Sequence, residues 1–178
     1  MRLTPSHLAL FLAGFLVASL GGTVLARPAA GPAAQDACPT WPTAGSGGQK
    51  MIVNPPSMGE PAGRAYSQAV RVGNMLYLAG QGGAPPRGSN EPAGDFATQT
   101  HRAFDSIQTI LDAAGASLDD LVTMTVFITD PRYGDDFVRL RGEILKRDFP
   151  ASALISIDHL ARPEMMLEIQ AVAALPCR

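Results

Sequence analysis

Glu168 and Ser152 are polar residues that stand within or beside otherwise apolar stretches near the C-terminal end of the chain. Glu168 interrupts the apolar run 165–174. A carboxylate in such a run is costly unless it is paired, neutralised or used, so Glu168 is a candidate functional residue. Ser152 precedes the apolar run 153–160 and offers a hydroxyl group.

Ser152 could act as a nucleophile only with a base within hydrogen-bond reach. The nearby histidine, His159, lies seven residues further along the same predicted strand, which is roughly 20 Å or more if that strand is extended. A base from another subunit would therefore be required. The alternative is that Ser152 starts the strand and satisfies backbone groups there.

Arg141 is a third candidate, on a helix predicted over residues 133–148. It lies one turn from both Phe137 and Leu145, at the edge of the stripe that we expect to be buried. A guanidinium in this position needs a carboxylate or a ligand, which would make Arg141 an anion-binding residue. The alternative, an arginine whose stem packs on the core while its head reaches water, stays open.

The elements that would position these residues follow from hydrophobic periodicity and turn residues. The pattern predicts a short strand at 52–53, a hairpin of strands 65–72 and 75–81, a helix capped by Asp95 and ended by Gly115, a strand at 122–129 and the helix 133–148. The two apolar runs 153–160 and 165–174, joined by a short link, predict two further strands that neighbour each other. We therefore expect an α+β domain with both helices on one face of a mixed sheet. The other face is apolar as well, which favours association between subunits.

Composition limits the classes of partner. The chain has 178 residues, of which 46% are hydrophobic, enough for one domain with a sizeable core. It carries 14 Lys and Arg residues against 16 Asp and Glu residues. Because there is no basic run, the sequence does not predict a nucleic-acid partner.

The N-terminal part of the chain has the features of an export signal. Arg2 is followed by an almost wholly apolar stretch that ends in small residues at 24–26, so we expect residues 1–26 to be a signal peptide. An uncleaved membrane anchor is the alternative, because about 19 apolar residues could span a bilayer. Residues 27–50 are rich in Pro, Ala and Gly and predict a flexible arm. The folded domain would occupy 51–178, in a secreted or periplasmic protein without a stable membrane anchor after cleavage.

The two cysteines lie on either side of the predicted domain. Cys38 falls in the arm and Cys177 precedes the last residue. An exported protein meets an oxidising compartment, so a disulfide between them is one interpretation, and two free or intermolecularly paired thiols are the other. Neither cysteine belongs to a cluster with the spacing of metal ligands.

The order of several short motifs between about residues 52 and 174 resembles the RidA/YjgF family of small trimeric imine deaminases, also called the L-PSP endoribonuclease family. The motifs are Tyr66-Ser67-x-Ala69, Ala79-Gly80-Gln81, Gln99-Thr100, Ala113-Ala114-Gly115, Val126-Phe127-Ile128-Thr129-Asp130, Phe149-Pro150-Ala151 and Leu167-Glu168-Ile169-x-Ala171. Their common order and spacing are far more specific than any one of them.

The resemblance implies a chorismate-mutase-like fold that assembles as a homotrimer with ligand clefts between subunits. It also implies that Glu168 positions the water that attacks an imine carbon, that Tyr66 walls the cleft and that Gly80 provides a backbone contact. No metal or cofactor is implied, because a protonated imine is already a good electrophile.

Two positions depart from the family pattern. Ser152 stands where deaminase members carry an arginine that grips the substrate carboxylate, and Arg141 stands where they tend to carry asparagine. We hypothesise that the positive charge has moved from the strand to the helix, which would change the anion that fits the cleft. Two functions stay open: a metal-free hydrolase of an imine or enamine, and a non-catalytic trimeric protein that binds a small anionic or imine-type metabolite. Ribonuclease activity, sometimes attributed to this family, is disfavoured by the acidic charge balance.

Overall fold

The computed structural model describes residues 50–59, 65–86 and 88–176. The described chain contains, in order, β1 (Lys50–Val53), β2 (Ala69–Val72), β3 (Met75–Gly82), α1 (Phe96–Ala113), β4 (Leu121–Ile128), α2 (Gly134–Leu145), β5 (Ala151–Ser156) and β6 (Leu167–Ala174). Short 3-10 turns occupy Pro56–Met58, Leu118–Asp120 and Pro131–Tyr133. The predicted signal peptide, both cysteines and most of the predicted arm lie outside the described residues.

The strands form one mixed sheet in the order β1-β2-β3-β6-β4-β5. Neighbouring strands are antiparallel except β4 and β5, which are parallel because α2 crosses over between them. The prediction that the last two strands are neighbours is wrong, since β4 lies between β5 and β6. The first of the two apolar runs also leaves the sheet after Ser156, and the link 157–166 carries the chain across to β6.

Both helices pack on one face of the sheet, as predicted. The buried positions of β4 alternate and lie level with buried residues of β6, for example Val126 beside Ile169. Helix α1 adds a fully buried stripe that includes Ile107 and Ile110. This core confirms the predicted α+β class. On the opposite face of the sheet, called the open face below, the described residues place no helix.

The first helix begins and ends where the sequence predicts. The Asp95 side chain accepts a hydrogen bond from the Thr98 backbone N–H at 2.8 Å, which satisfies one of the free N–H groups of the first turn. Gly115, just past the end, has a φ of +76°, a conformation that glycine adopts without steric cost.

The second helix is shorter than predicted because Lys146, with a φ of +63°, ends it after Leu145. Arg147 lies beyond the helix and binds Asp119 at 3.0 Å. Within the helix, Arg139 binds Glu143 at 3.0 Å and Asp136 at 3.4 Å.

Strand β3 contains a bulge that matters for the site. Leu78 pairs with Ala171 and Gln81 pairs with Ile169, so two residues of β3 stand opposite one residue of β6. The extra residue bends the strand and re-aims its backbone, as bulges near functional sites commonly do. The bulge places Gly80 beside Glu168. The predicted two-residue turn at Gly73-Asn74 is present, with a φ of +61° at Gly73.

Candidate functional site

Glu168 lies on the open face of the sheet. In the strand register it stands opposite Phe127 of β4, and Phe127 stands opposite Ile155 of β5. No other residue of β3, β4, β5 or β6 carries a charged side chain. The carboxylate is therefore the one charge on four adjacent strands of the sheet.

The Glu168 side chain lies directly against the backbone of Gly80. A Cβ atom added at Gly80 would stand 2.6 Å from Glu168 Cδ and 3.0 Å from Cγ, and it would overlap Oε1. A glycine is needed here because any larger residue would displace the carboxylate. The contact explains physically why a small residue and an acid occur together on two strands that are distant in sequence.

The protonation of Glu168 is set by its surroundings. Burial raises the pKa of the Glu168 carboxyl above its ordinary value of 4.5, because the half-buried charge loses hydration. Within the described ranges no cation or hydrogen-bond donor binds it. A half-buried carboxyl with free oxygens and a raised pKa is suited to general acid–base catalysis.

Ser152 lies on the opposite side of the sheet. Its register partner is Met124 of β4, which is buried under the helices. Leu154 lies two residues further along β5 and therefore points to the same side of the sheet as Ser152. Its Cδ2 atom approaches Gly134 at the start of α2, which confirms that this is the helix side. Ser152 and Glu168 of one chain therefore cannot contact the same small molecule.

Arg141 lies on the same side of the sheet as Ser152. It is two turns beyond Gly134 on the same face of α2, about 10 Å along the helix axis. Since α2 joins two parallel strands, it runs antiparallel to β5, and this displacement brings Arg141 to the level of the start of β5. The arginine head lies over the Phe137 ring, 5.7 Å from its centre, and binds no carboxylate of the described chain.

The remaining predicted residues are peripheral in one chain. Tyr66 is 43% exposed and precedes β2, which is separated from β6 by β3. His159 is exposed in the link 157–166, beyond the end of β5, and makes no hydrogen bond to Ser152 in the part that the structure describes. The described chain thus supplies no base to a serine nucleophile.

Sequence reasoning missed the role of buried amides around the bulge. Gln81 is buried, and its Nε2 donates to Gln68 Oε1 at 3.2 Å and to the Ala79 carbonyl oxygen at 3.0 Å. These bonds hold the bulge that presents Gly80. An uncharged amide within an apolar strand was the available signal, because a buried amide needs partners.

A cleft of about 440 Å³ lies apart from Glu168 and Ser152. It separates the loop after β3 from the link before β6, where the guanidinium of Arg162 donates to the Pro85 carbonyl oxygen at 2.9 Å and lies 3.3 Å from a Glu164 oxygen. In the described ranges no three His, Cys, Asp or Glu side chains are placed to hold a metal ion. None of the helices described is long and apolar enough to cross a membrane.

The sequence pattern that defines the endoribonuclease L-PSP family matches residues 58–175. The chain belongs to this family, the RidA/YjgF family. The RutC family protein YjgH of Escherichia coli K12 is 34% identical over 125 residues, which cover 65% of this chain and 92% of that protein. The 2-iminobutanoate/2-iminopropanoate deaminase of Dermatophagoides farinae is 30% identical over 129 residues, which cover 71% of this chain and 97% of that protein.

Solved structures of RidA/YjgF proteins share the fold. The crystal structure of Rv2704 from Mycobacterium tuberculosis, a member of the YjgF/YER057c/UK114 family, superposes with a TM-score of 0.61 at 26% sequence identity. The match covers 71% of this chain and all of that one. The mixed sheet with two helices on one face is thus the fold of this RidA/YjgF member.

Proposed function

We propose that this chain is an exported RidA-family protein whose clefts, formed between the subunits of a homotrimer, bind a small imine-type or anionic metabolite and hydrolyse an imine or enamine. The observation that carries the proposal is the Glu168 carboxylate, which is unpaired in the described chain and lies against Gly80 on the open face. Relatives from Dermatophagoides farinae and Escherichia coli that are named 2-iminobutanoate/2-iminopropanoate deaminases support the reaction type.

The proposed reaction needs only water and one carboxylate. Glu168 accepts a proton from the water molecule while the water oxygen attacks the carbon of the protonated imine. The carboxyl then returns the proton to the nitrogen of the tetrahedral intermediate. As the carbon–nitrogen bond breaks, the hydroxyl proton passes to the departing ammonia, through the Glu168 carboxylate, and the products are a carbonyl compound and ammonium. An enamine first takes a proton on carbon and continues as the imine.

Two copies of the chain are needed because the polar groups stand on opposite faces. An interface that joins the open face of one copy to the β5 side of the next is heterologous, and a heterologous interface forms a closed ring of three when each contact rotates the next copy by about 120°. The exposed apolar residues favour this contact. Leu154 is 38% exposed and Ile155 41% exposed on β5, which is an edge strand with no further partner in the described sheet.

Arg141 supplies the positive charge in this proposal. It lies level with the start of β5, so its guanidinium can reach a ligand that also contacts Ser152. A guanidinium binds a carboxylate with charge-assisted hydrogen bonds, which are about twice as strong as neutral ones. Ser152 adds a neutral hydroxyl where deaminase members of the family carry arginine.

A second function is favoured by one specific observation. Ser152 provides no charge at the strand position, so the cleft holds a carboxylate by a different geometry from that of the deaminase members. A trimeric protein that binds a small metabolite without transforming it fits this feature. Glu168 favours hydrolysis over binding alone, since a half-buried unpaired acid lowers stability without helping to bind an anion.

The deciding experiment measures ammonium release from 2-iminopropanoate, generated in the assay, by the wild-type protein and by Glu168→Gln, Arg141→Ala and Ser152→Arg variants. We expect wild-type activity that Glu168→Gln abolishes and Arg141→Ala weakens. Arg139→Ala, an exposed arginine on the same helix, is the matched control and should behave as wild type. Activity in the Ser152→Arg variant alone would make the natural protein a binder or a hydrolase of another substrate.

Export and the Cys38–Cys177 disulfide are proposed with the same function. The register places Lys50 and Ala174 at the same end of the sheet, through Val72 and Met75 of the hairpin. The two ends of the described domain therefore lie at the same end of the sheet, which supports the proposed disulfide. The intact mass and thiol titration of the protein recovered from the culture medium or periplasm test both points, and an unprocessed cytoplasmic protein with two free thiols would contradict them.

A further inference from the structure

Gln99 is a fully buried residue of α1 whose side chain binds the segment just before β6. Its Nε2 donates to the Glu164 carbonyl oxygen at 2.9 Å. Its Oε1 accepts from the Met166 backbone N–H, also at 2.9 Å. Both functions of the amide are thus used by backbone groups that are distant in sequence, so this glutamine fixes the start of β6 against the helix.

The backbone of the same residue abuts the end of β3. A Cβ atom added at Gly83 would overlap the Gln99 carbonyl group and Cα, so the two backbones are in direct van der Waals contact. Gly83 follows directly after β3, and Met166 precedes β6. Gln99 therefore touches the ends of the two strands that carry Gly80 and Glu168.

Met166 is held from a second direction. Its carbonyl oxygen accepts from the Thr129 backbone N–H at 3.0 Å, just after β4. Removing the Gln99 amide would leave the Met166 N–H and the Glu164 carbonyl without these partners, and buried backbone groups without partners are costly. The segment would then shift to find other partners, and Glu168 is only two residues away, roughly 7 Å along the strand.

We infer that Gln99 is a positioning residue that sets the place of the Glu168 carboxylate relative to Gly80. The catalytic meaning of this role rests on the proposed function, whereas the positioning itself does not. No other charged side chain on β3, β4, β5 or β6 faces Glu168, and Tyr77 is the other titratable residue of these strands. A change in the titration of the Glu168 carboxyl therefore reflects a change in its hydration and not a change in a neighbouring charge on these strands.

The experiment uses the full-length protein with ¹³C-labelled glutamate. In Gln99→Leu we expect the titration midpoint of the Glu168 carboxyl to fall toward its ordinary value, because a loosened strand admits water. We also expect the Met166 amide to exchange about tenfold faster or more. Gln99→Glu keeps the acceptor for Met166 and should show a smaller change in both readouts.

Ile110→Ala is the matched control, since it removes a fully buried side chain from the same helix, eleven residues and about 16 Å along the axis from Gln99. A purely structural role for Gln99 would make the two variants alike at equal loss of stability. An unchanged Glu168 titration in Gln99→Leu, or an equal shift in Ile110→Ala, would overturn the inference. If Gln99→Leu fails to fold, Gln99→Glu is judged by the same criteria.

Where the wild-type protein hydrolyses imines, kcat/KM of Gln99→Leu should fall by about ten- to a hundredfold, mainly in kcat, as expected for a misplaced catalytic group. Where it does not, the proposed function has failed, and the carboxyl titration and amide exchange still decide the role of Gln99. The failure of one proposal is therefore distinguishable from the failure of the other.

Discussion

The side chain of Glu168 packs against the Cα atom of Gly80 so closely that a Cβ atom at position 80 would lie 2.6 Å from the carboxyl carbon of Glu168. The group that would have to give way is the flexible end of a side chain. Gly80 does not adopt a positive φ, so alanine can take its backbone conformation. A substitution here therefore acts on the position of the carboxylate and leaves the sheet in place.

Gly80→Ala should lower imine hydrolysis or ligand binding strongly while changing the free energy of unfolding by less than about 1 kcal/mol, because only the glutamate end moves. Activity and urea unfolding measured on the same preparation check this. Gly142→Ala on α2, where a Cβ meets nothing within 4 Å, is the control and should be neutral or slightly stabilising. Full activity of Gly80→Ala would mean that the observed carboxylate position is not the working one.

Gly83→Ala, unlike Gly80→Ala, should mainly lower the stability of the fold. Its Cβ would meet the backbone of Gln99 in α1, which cannot rotate away, so the helix itself must shift. We expect a loss of about 3 kcal/mol or more in the free energy of unfolding, measured by urea denaturation. A variant as stable as the wild type would show that α1 and the end of β3 are not held in contact.

Glu168→Gln should alter how stability depends on pH. Burial raises the pKa of Glu168 in the folded state, so the folded protein binds this proton more tightly than the unfolded chain, and the free energy of unfolding falls as pH rises from about 4.5 through the raised pKa. The glutamine variant should therefore be more stable than the wild type at neutral pH. The gain should disappear on acidification below the ordinary pKa.

The difference in the free energy of unfolding between the wild type and Glu168→Gln, measured across this pH range, isolates the contribution of Glu168, because all other titratable groups are common to both proteins. Asp130, for example, whose pKa is lowered to about 2 chiefly by its hydrogen bond with Arg132, contributes equally to each curve. A difference in stability that does not vary with pH would contradict the raised pKa.

Ile155→Lys should dissociate the proposed trimer. Ile155 lies on the open face of the edge strand β5, level with Phe127, and a lysine there would bury an unpaired charge in the subunit contact. Light scattering after size-exclusion chromatography should report a monomer for this variant and a trimer for the wild type. Asp105→Lys on the exposed side of α1 is the control. A wild-type monomer would refute the cleft between subunits.

The sequence is informative wherever a local rule decides the structure. The Asp95 cap, the Gly115 stop, the Gly73-Asn74 turn and the alternation of β4 all depend on residues within a few positions of each other, and the structure confirms them. Glu168 also stands out locally, because one charge in a long apolar run is visible without knowing what surrounds it.

Contacts between distant segments are where sequence reasoning fails. Periodicity identifies β5 and β6 as strands but does not show that β4 separates them, because strand order depends on the crossover through α2. The need for glycine at Gly80 arises from a residue on another strand. The shared side of Ser152 and Arg141, opposite to Glu168, likewise follows only from the register.

The placement of Glu168 and Arg141 on opposite faces of one chain predicts that two variants can complement each other in a mixed oligomer. If each working site takes its acid from one subunit and its cation from the next, an inactive variant and a weakened one can restore activity to each other. Refolding Glu168→Gln together with Arg141→Ala would give mixed rings in which one contact brings an intact acid to an intact arginine, and at most about one site in three would recover. Neither variant refolded alone would gain anything.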